Sequence, residues 1–253
     1  LTTEQIQSEE AHLIGENPFR LGEHGFLTIK TKNQGMQKLY PNTIQKKFID
    51  TVEKLFFSAK PVRILVLKAR QMGMSTIIEA IIYAFTSRMK GVNAFVIADD
   101  LEGANYIFEM QKMYQEYLDK HLKPRTKHSN EKKLAFAGLN SQILIDTADN
   151  PNIGRKYTIQ FGHLSECSRF TKPLPEVLSG LGHAVPNTAG TMIFLETTAN
   201  GYEDFYDLWT MAMNGKSDWL PLFYAWHEFP EYSLPLENGQ LYPIENINFI
   251  TPV

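Results

Sequence analysis

The chain has 253 residues and a mass of 29.0 kDa, which suits one large domain or two small ones. Hydrophobic residues make up 43% of it and charged residues 21%, so it can bury the core of an ordinary globular protein. The net charge of −3 argues against a uniformly basic nucleic-acid coat protein, and the single cysteine, Cys167, excludes an internal disulfide and a cysteine-rich zinc site. No apolar run approaches the roughly 20 residues that a membrane helix needs, so we expect no membrane partner.

Helical and strand patterns alternate along the chain. Apolar residues spaced three and four apart predict helices, and short apolar runs predict strands buried on both faces. In chain order the predicted elements are a helix over 3–14, a helix over 41–57, a strand over 62–67, a helix over 74–89, a strand over 94–98, a helix over 103–122, weaker strands over 133–137 and 142–145, a strand over 158–164, a helix over 175–181, a strand over 191–195, a helix over 202–213 and a strand over 220–225. This alternation predicts an α/β domain with a mainly parallel sheet, whose strand order the pattern does not give.

Charge is unevenly distributed. Residues 30–70 carry ten Lys and Arg against two acids, residues 120–133 carry six against one, and residues 201–253 carry eight acids against a single lysine. The two basic stretches suit contacts with nucleic-acid phosphates, and they also suit solvated protein faces. Both interpretations stay open.

Polar residues follow four of the predicted strands. They lie at 68–76, at Asp99 and Asp100, at 163–166 and at 196–201. Ligands of open α/β sheets bind outside the carboxyl ends of the strands, and the carboxyl ends of parallel strands share one edge. We therefore expect these four segments to form one site.

The first segment has the layout of a phosphate-binding loop, with a strand, a glycine and a helix that begins with hydroxyl residues. Backbone N–H groups at a helix N-terminus bind an anion, and a hydroxyl such as that of Ser75 holds Mg²⁺. Against the pattern G-x-x-x-x-G-K-[ST], Gly73 is the second glycine, Lys68 replaces the first, and Met74 replaces the lysine. Arg70 would then be the cation on the phosphates, with Lys68 as the second candidate. The alternative is an ordinary strand-to-helix turn.

The third segment resembles the acidic strand end that holds Mg²⁺ and polarises the attacking water in nucleotide hydrolases. Glu166 would be the base that activates the water. Ser165 stands where the metal-side Asp usually is, and its hydroxyl would reach Mg²⁺ only through a water, which predicts weaker metal binding. The alternatives are a helix-start carboxylate for Glu166 and a core position for His163.

The fourth segment offers short hydroxyls, including that of Thr198, and the amide of Asn200, which can sense a γ-phosphate. Taken alone it would be a strand-to-helix cap. Its position on the same sheet edge as the other segments favours a functional interpretation.

In combination these residues resemble the ATPase domain of a tailed-phage large terminase, the motor that packages DNA into procapsids. Arg-Gln-Met-Gly-Met-Ser-Thr at 70–76 is similar to the family's deviant phosphate loop, His-Leu-Ser-Glu at 163–166 to its catalytic strand end, and Thr-Thr-Ala-Asn-Gly at 197–201 to its coupling motif. The resemblance covers roughly residues 40–230 and depends on the order and spacing of the motifs. It implies a mainly parallel P-loop NTPase sheet of the ASCE type (additional strand, catalytic glutamate), flanked by helices, with a small lid subdomain.

The resemblance also implies roles for individual residues. Those implied to bind ATP are Tyr40, Gln45, Lys68, Gln71, Gly73, Met74, Ser75, Thr76, Thr198 and Asn200. Mg²⁺ would be held by Ser75 and Ser165, and the implied catalytic residues are Glu166, Arg70 and Arg155. Gln45 would read the adenine edge, with an amphipathic helix start as the alternative. Arg155 would act as a finger on the neighbouring subunit's ATP, with a surface arginine as the alternative.

The implied domains are an N-terminal arm (1–39), an ATPase core (40–200), a lid (201–230) and a linker (231–253) toward a nuclease domain. The chain begins with Leu1 and ends at Val253, and we expect it to be part of a longer protein. No further acidic constellation is available for metal-dependent nuclease chemistry, so we expect no nuclease activity here. The aromatic residues of 202–229 are interpreted as packing.

The leading hypothesis is thus an ATP-hydrolysing motor that acts on double-stranded DNA through the basic stretch at 120–133. The resemblance implies a homo-oligomeric ring, pentameric by the family pattern, with a portal protein and a small terminase subunit as partners. It places the protein in the cytoplasm of an infected bacterial host, at the procapsid vertex. Two alternatives stay open: another nucleic-acid-dependent ATPase, such as a helicase or translocase, and a degenerate nucleotide-binding assembly module without hydrolysis.

Overall fold

A computed structural model describes residues 1–31, 34–150 and 156–229. The helices are α1 (Thr3–Glu16), α2 (Arg20–Glu23), α3 (Thr43–Phe57), α4 (Met74–Thr86), α5 (Leu101–Tyr117), α6 (Leu174–Gly182) and α7 (Asp204–Met213). The strands are β1 (Thr28–Thr31), β2 (Gly35–Lys38), β3 (Val62–Lys68), β4 (Asn93–Ala98), β5 (Thr126–Ser129), β6 (Lys133–Phe136), β7 (Ser141–Thr147), β8 (Phe161–Ser165), β9 (Met192–Thr197) and β10 (Leu220–Tyr224). Short 3₁₀ turns lie at Cys167–Arg169 and Trp226–Glu228.

Eight of the strands form one sheet in the order β10-β3-β9-β8-β4-β7-β6-β5. Neighbours from β10 through β7 are parallel, and β6 and β5 are antiparallel additions at one edge. The predicted α/β architecture with a mainly parallel sheet is confirmed. β1 and β2 form a separate antiparallel hairpin.

Alternate residues of the central strands face opposite sides of the sheet. In β3, Ile64 and Val66 belong to a core that also contains residues of α3 and α4, while Leu65 belongs to a second core with residues of α6 and α7. The sheet is therefore buried on both faces, which explains the nearly continuous apolar runs of its parallel strands.

Several elements differ from the sequence prediction. The hairpin β1–β2, the four-residue helix α2 and strand β5 were not predicted, because each is short and lacks a sustained apolar period. All four residues of β5 are exposed at the sheet edge. α5 begins at Leu101, where the side chain of Asp100 caps it by accepting from the Gly103 backbone N–H at 2.7 Å.

Residues predicted as an N-terminal arm and as a lid pack on the main body. Phe19 and Leu27 are buried in the same core as α3 and α4, and Phe205 of α7 is buried in the second core. β10, within the predicted lid, pairs with β3 in the central sheet. The aromatic residues of this part divide between packing and surface, since Phe205 is buried whereas Phe223 is 58% exposed. The proposed domain limits themselves stay predictions.

Among the described residues, no helix combines the length and the apolar character that crossing a membrane requires.

Phe85 at the end of α4 joins the N-terminal segment to the sheet. Its ring lies 4.8 Å from that of Phe19, 4.8 Å from that of Phe56 and 5.7 Å from that of Phe161, and it is 1% exposed. We expect Phe85→Ala to lower the free energy of unfolding by about 3–5 kcal/mol in urea denaturation, because it leaves a cavity among these rings.

Phe57→Ala is the matched control, since Phe57 is 57% exposed, and a loss below about 1 kcal/mol is expected there. Equal losses for the two variants would contradict the packing of the N-terminal segment onto α4.

Candidate active site

Strands β3, β9 and β8 are neighbours in the sheet, so their carboxyl ends lie side by side. Lys68 ends β3, Thr197 ends β9, and Ser165 ends β8. All four polar segments predicted from the sequence therefore lie along one edge of the sheet, and those after β3, β8 and β9 are next to each other. The segment at Asp99 and Asp100 follows β4, on the other side of β8, and its Asp100 serves as the cap of α5.

The loop between β3 and α4 is shaped by residues with positive φ. Gly73 has φ 70° and ψ 23° and is the N-cap of α4, and Gln71 has φ 62°. A left-handed cap residue without a side chain leaves the first backbone N–H groups of α4 open to an anion. Both Gln71 and Arg70 are exposed.

Gln45 at the start of α3 supports this loop. Its Oε1 accepts from the Asn42 backbone N–H at 3.0 Å, and its Nε2 donates to the Gly73 carbonyl at 2.7 Å. The Asn42 amide donates to the Met72 carbonyl at 3.2 Å. Gln45 is 5% exposed, so in this structure its amide holds the loop backbone. Its contact with adenine stays a prediction.

Lys68, rather than Arg70, is the cation inside the site. Its Nζ lies 3.2 Å from Glu166 Oε1 and 3.8 Å from Glu196 Oε2, and its side chain is 6% exposed. Burial lowers the pKa of Lys68, but the charges of Glu196 and Glu166 outweigh it and the pKa is raised overall. Met74, in the place of the usual lysine, is buried in the core.

Glu166 has a strained backbone and a well-anchored side chain. Its φ of 53° and ψ of 44° are left-handed, which costs about 1–2 kcal/mol for a residue with a Cβ. Its Oε2 accepts from the Thr198 backbone N–H at 3.4 Å and from the Thr198 hydroxyl at 3.3 Å. The 3₁₀ turn that follows receives no side-chain cap from Glu166, so the helix-start interpretation does not describe its role.

Asn200 connects the end of β9 to the turn after β8. Its Nδ2 donates to the Ser168 carbonyl at 2.9 Å, and the Ser168 hydroxyl lies 2.5 Å from that of Thr197. A groove of about 400 Å³ beside them is lined by Ser168, Asn200 and residues of α7, including Tyr206. Asn200 and α7 therefore line the same groove.

Glu196 is the central residue of the site, and the sequence analysis gave it no role. It is fully buried, and its Oε1 accepts hydrogen bonds from the Ser75 hydroxyl and, at 3.1 Å, from the Ser165 hydroxyl. The available signal was an acidic residue within the apolar strand Met192–Thr197. Glu79 gives the same signal within the apolar helix α4.

His163 lies between these two acids. Its Nδ1 is 2.5 Å from Glu79 Oε1, its Nε2 is 3.2 Å from Glu196 Oε1, and all three side chains are fully buried. Burial lowers the pKa of His163, but hydrogen bonds to Glu196 and Glu79 outweigh it and raise the pKa to about 9. Burial raises the pKa of Glu196, but Lys68 and His163 outweigh it and lower the pKa to about 2. The histidine is thus a core residue of the site.

The remaining predicted residues lie at the margin of the site. Tyr40 is 69% exposed, and its ring lies against Gly25. The backbone carbonyl of Thr76 accepts from the Tyr114 hydroxyl at 3.0 Å. Arg155 lies outside the described residues. Within the described part of the chain, no group of three or more His, Cys, Asp and Glu could hold a metal ion by itself.

Gln45→Glu tests the support of the loop backbone between β3 and α4. Glutamate keeps the capping bond to the Asn42 N–H but cannot donate to the Gly73 carbonyl, 2.7 Å away. We expect the free energy of unfolding to fall by about 1–3 kcal/mol in urea denaturation, because the carboxylate at this buried position would face the Gly73 carbonyl oxygen with no donor between them.

Gln5→Glu is the matched control, since Gln5 has the same capping role at α1, where it is exposed. The change at Gln5 should be nearly neutral. A neutral Gln45→Glu would show that this hydrogen bond does not support the loop.

Solved structures with a similar fold include large terminases of phages, whereas no family model matches the chain. The large terminase of bacteriophage HK97 aligns with a TM-score of 0.64 at 16% identity, over 84% of this chain and 43% of that one. The large terminase of a thermophilic bacteriophage in complex with ADP aligns with a TM-score of 0.54 at 12% identity, over 72% and 44% of the two chains. The large terminase ATPase domain of Thermus phage P74-26 aligns with a TM-score of 0.52 at 17% identity, over 77% and 90%.

The chain spans less than half the length of the HK97 terminase and of the terminase bound to ADP, and most of the P74-26 ATPase domain. At these identities the similarity concerns the fold. The predicted architecture, a mainly parallel sheet flanked by helices, is confirmed. The chain has the fold of phage large-terminase ATPase domains.

Proposed function

We propose that this chain is the ATP-hydrolysing motor domain of a phage DNA-packaging terminase. The observation that carries the proposal is the pairing of Glu166 with Lys68 beside the loop of Gly73, on the fold of a terminase ATPase domain. A carboxylate, a cation and an anion-binding helix N-terminus are the parts that hydrolysis of a phosphoanhydride requires.

The nucleotide phosphates would lie on the backbone N–H groups at the start of α4. Lys68, now paired with Glu166 and Glu196, would turn to the β- and γ-phosphates, with Arg70 reaching them from the loop surface. We rank Lys68 before Arg70, the reverse of the order expected from the sequence, because Lys68 already lies among the carboxylates. Its move would free one oxygen of Glu166 for a water.

The residues of the site fit Mg²⁺, which prefers oxygen ligands and takes only one or two of them from protein beside phosphates and waters. The Ser75 hydroxyl would hold the ion, and Ser165 would contact it through a water. When bound, the ion would neutralise charge on the phosphate oxygens. The cofactors of the proposed reaction are therefore ATP and Mg²⁺.

Glu166 would act as the general base. It would accept a proton from a water as the water oxygen bonds to the γ-phosphorus and the bond to the ADP oxygen breaks, which gives ADP, phosphate and a proton. The contacts of Glu166 with Thr198 would hold its carboxylate in place during this step. Asn200, hydrogen-bonded to Ser168, would transmit to α7 the conformational change that follows release of the γ-phosphate.

The assembly and its partners follow from the proposed motor. Arg155 would complete a neighbour's site in a homo-oligomeric ring, pentameric by the family pattern. Double-stranded DNA would be contacted by the basic stretch at 120–133, where Lys127 is exposed on the edge strand β5 and Arg125 is exposed just before it. A portal protein, a small terminase subunit and a place at the procapsid vertex of an infected bacterium complete the proposal.

One observation favours a second candidate, a nucleotide-binding module without hydrolysis. Met74 is buried where the usual lysine would stand, and Ser165 offers no carboxylate. Such a module would bind nucleotide but would be indifferent to changes at Glu166.

Glu166→Gln distinguishes the two candidates. The amide keeps the shape of the side chain but cannot take a proton, so phosphate release from ATP should fall by about 10²- to 10⁴-fold while ATP still binds. Glu176→Gln, an exposed change on α6, is the control and should retain full activity. Unchanged hydrolysis in Glu166→Gln would overturn the assignment of the base.

Mixing two variants tests whether Arg155 acts on a neighbouring subunit. Arg155→Ala and Glu166→Gln should each be inactive, but in a mixed ring the Glu166→Gln subunit lends its arginine to the intact Glu166 of the other. We expect an equimolar mixture to recover part of the parent ATPase rate, measured as phosphate release. Full activity of Arg155→Ala alone would discard the arginine finger.

A further inference from the structure

Two hydroxyls from different elements converge on one carboxylate oxygen. Ser75 from the start of α4 and Ser165 from the end of β8 both donate to Glu196 Oε1. These are the two residues that the sequence analysis assigned to Mg²⁺. Glu196 thus lies at the point where the metal ligands are expected.

Glu196 and Ser165 are direct partners across the strand pair. In the parallel register of β8 and β9, Ser165 lies opposite Glu196. Side chains opposite each other on neighbouring strands project on the same face of the sheet. A carboxylate at position 196 can therefore serve the same place as a carboxylate at position 165.

The second carboxylate oxygen of Glu196 is a buried acceptor without a hydrogen-bond donor among the described residues. Oε2 is buried and accepts no hydrogen bond from the described residues, and the Lys68 ammonium lies 3.8 Å away. Buried carboxylate oxygens without donors are rare and costly. Coordination of a cation would satisfy this oxygen.

The local charge also favours an added cation. Glu79, Glu166 and Glu196 supply three carboxylates, against Lys68 and His163. Negative charge exceeds positive charge in this cluster whether or not His163 is protonated. A divalent cation would remove that excess in either case.

We propose that Glu196 is the carboxylate that holds Mg²⁺ in this site, together with the hydroxyl of Ser75. The metal-side carboxylate, expected at position 165 on β8, is supplied instead from the neighbouring position 196 on β9, and the Ser165 hydroxyl orients it. This inference rests on the proposed nucleotide site and adds to it the residue that binds the metal. Glu196 touches the metal, and Ser165 is a positioning residue that holds this carboxylate instead of reaching the ion through a water.

Mn²⁺ binding, followed by electron paramagnetic resonance in the presence of saturating ADP, tests the proposal without reference to turnover. Glu196→Gln should weaken Mn²⁺ binding by about 10- to 100-fold. Glu176→Gln is the control, since Glu176 is exposed on α6 and lies outside the carboxylate cluster. It should leave the Mn²⁺ affinity within about threefold of the parent value, which is clearly less than the loss of at least about tenfold expected for Glu196→Gln.

The double variant Ser165→Asp with Glu196→Gln tests whether a carboxylate at position 165 can restore Mn²⁺ binding. It returns the carboxylate to β8 and should regain most of the Mn²⁺ affinity. If Glu196→Gln alone fails to fold, the double variant decides. Regained Mn²⁺ affinity in the double variant supports the proposal, and a folded double variant that binds Mn²⁺ no better than Ser165→Ala with Glu196→Gln overturns it.

ADP binding in the presence of EDTA distinguishes a failure of the proposed nucleotide site from a failure of the metal role of Glu196. If the parent chain does not bind ADP with or without metal, the proposed function itself fails. If ADP binds to all variants and Glu196→Gln retains the Mn²⁺ affinity of the parent, only the role of Glu196 is wrong.

Discussion

The buried carboxylate of Glu196 is the interaction on which the site depends. It accepts from Ser75 at the start of α4 and from Ser165 at the end of β8, and it lies near Lys68 at the end of β3. One side chain on β9 thereby ties together the three other elements that make up the site. Removing one partner of such a buried charged group lowers the free energy of unfolding by about 3–5 kcal/mol. The contacts of Glu196 therefore stabilise the fold as well as the site.

Around this centre the site combines backbone strain with paired charges. Glu166 keeps a left-handed backbone, and Lys68 pairs with the carboxylates of Glu166 and Glu196. Strained residues of this kind persist where the surrounding structure fixes them, and they cluster at functional sites. In the proposed cycle, phosphates would draw Lys68 away and expose Glu166 to water, so that the base becomes available only when its substrate is present.

Much of the fold could be predicted because its parallel strands are buried on both faces. The apolar runs of β3 and β9 and the apolar helix α4 give strong local signals. The hairpin β1–β2 and the edge strand β5 give no such signal, since each strand is a short run of mostly polar, exposed residues. Pairing with a neighbouring strand, rather than local pattern, makes them strands.

The sequence predicts where the site lies in the sheet, but it identifies only some of the residues that form it. Strand ends with polar residues indicated where the site lies, because all parallel strands end at one edge. The roles of Lys68 and Glu196 depend on which strands are neighbours, and strand order is a property of the whole sheet. The pairing of Ser165 with Glu196 across β8 and β9 is invisible until that order is known.

Hydrolysis of Mg²⁺-ATP by the parent chain across a wide range of protein concentration tests the central claim most directly. We expect phosphate release per subunit to rise with concentration, because a neighbouring subunit completes each site. A nucleotide titration should accompany it at each concentration. If ATP neither binds nor is hydrolysed at any concentration, the site at the ends of β3, β8 and β9 is not a nucleotide site.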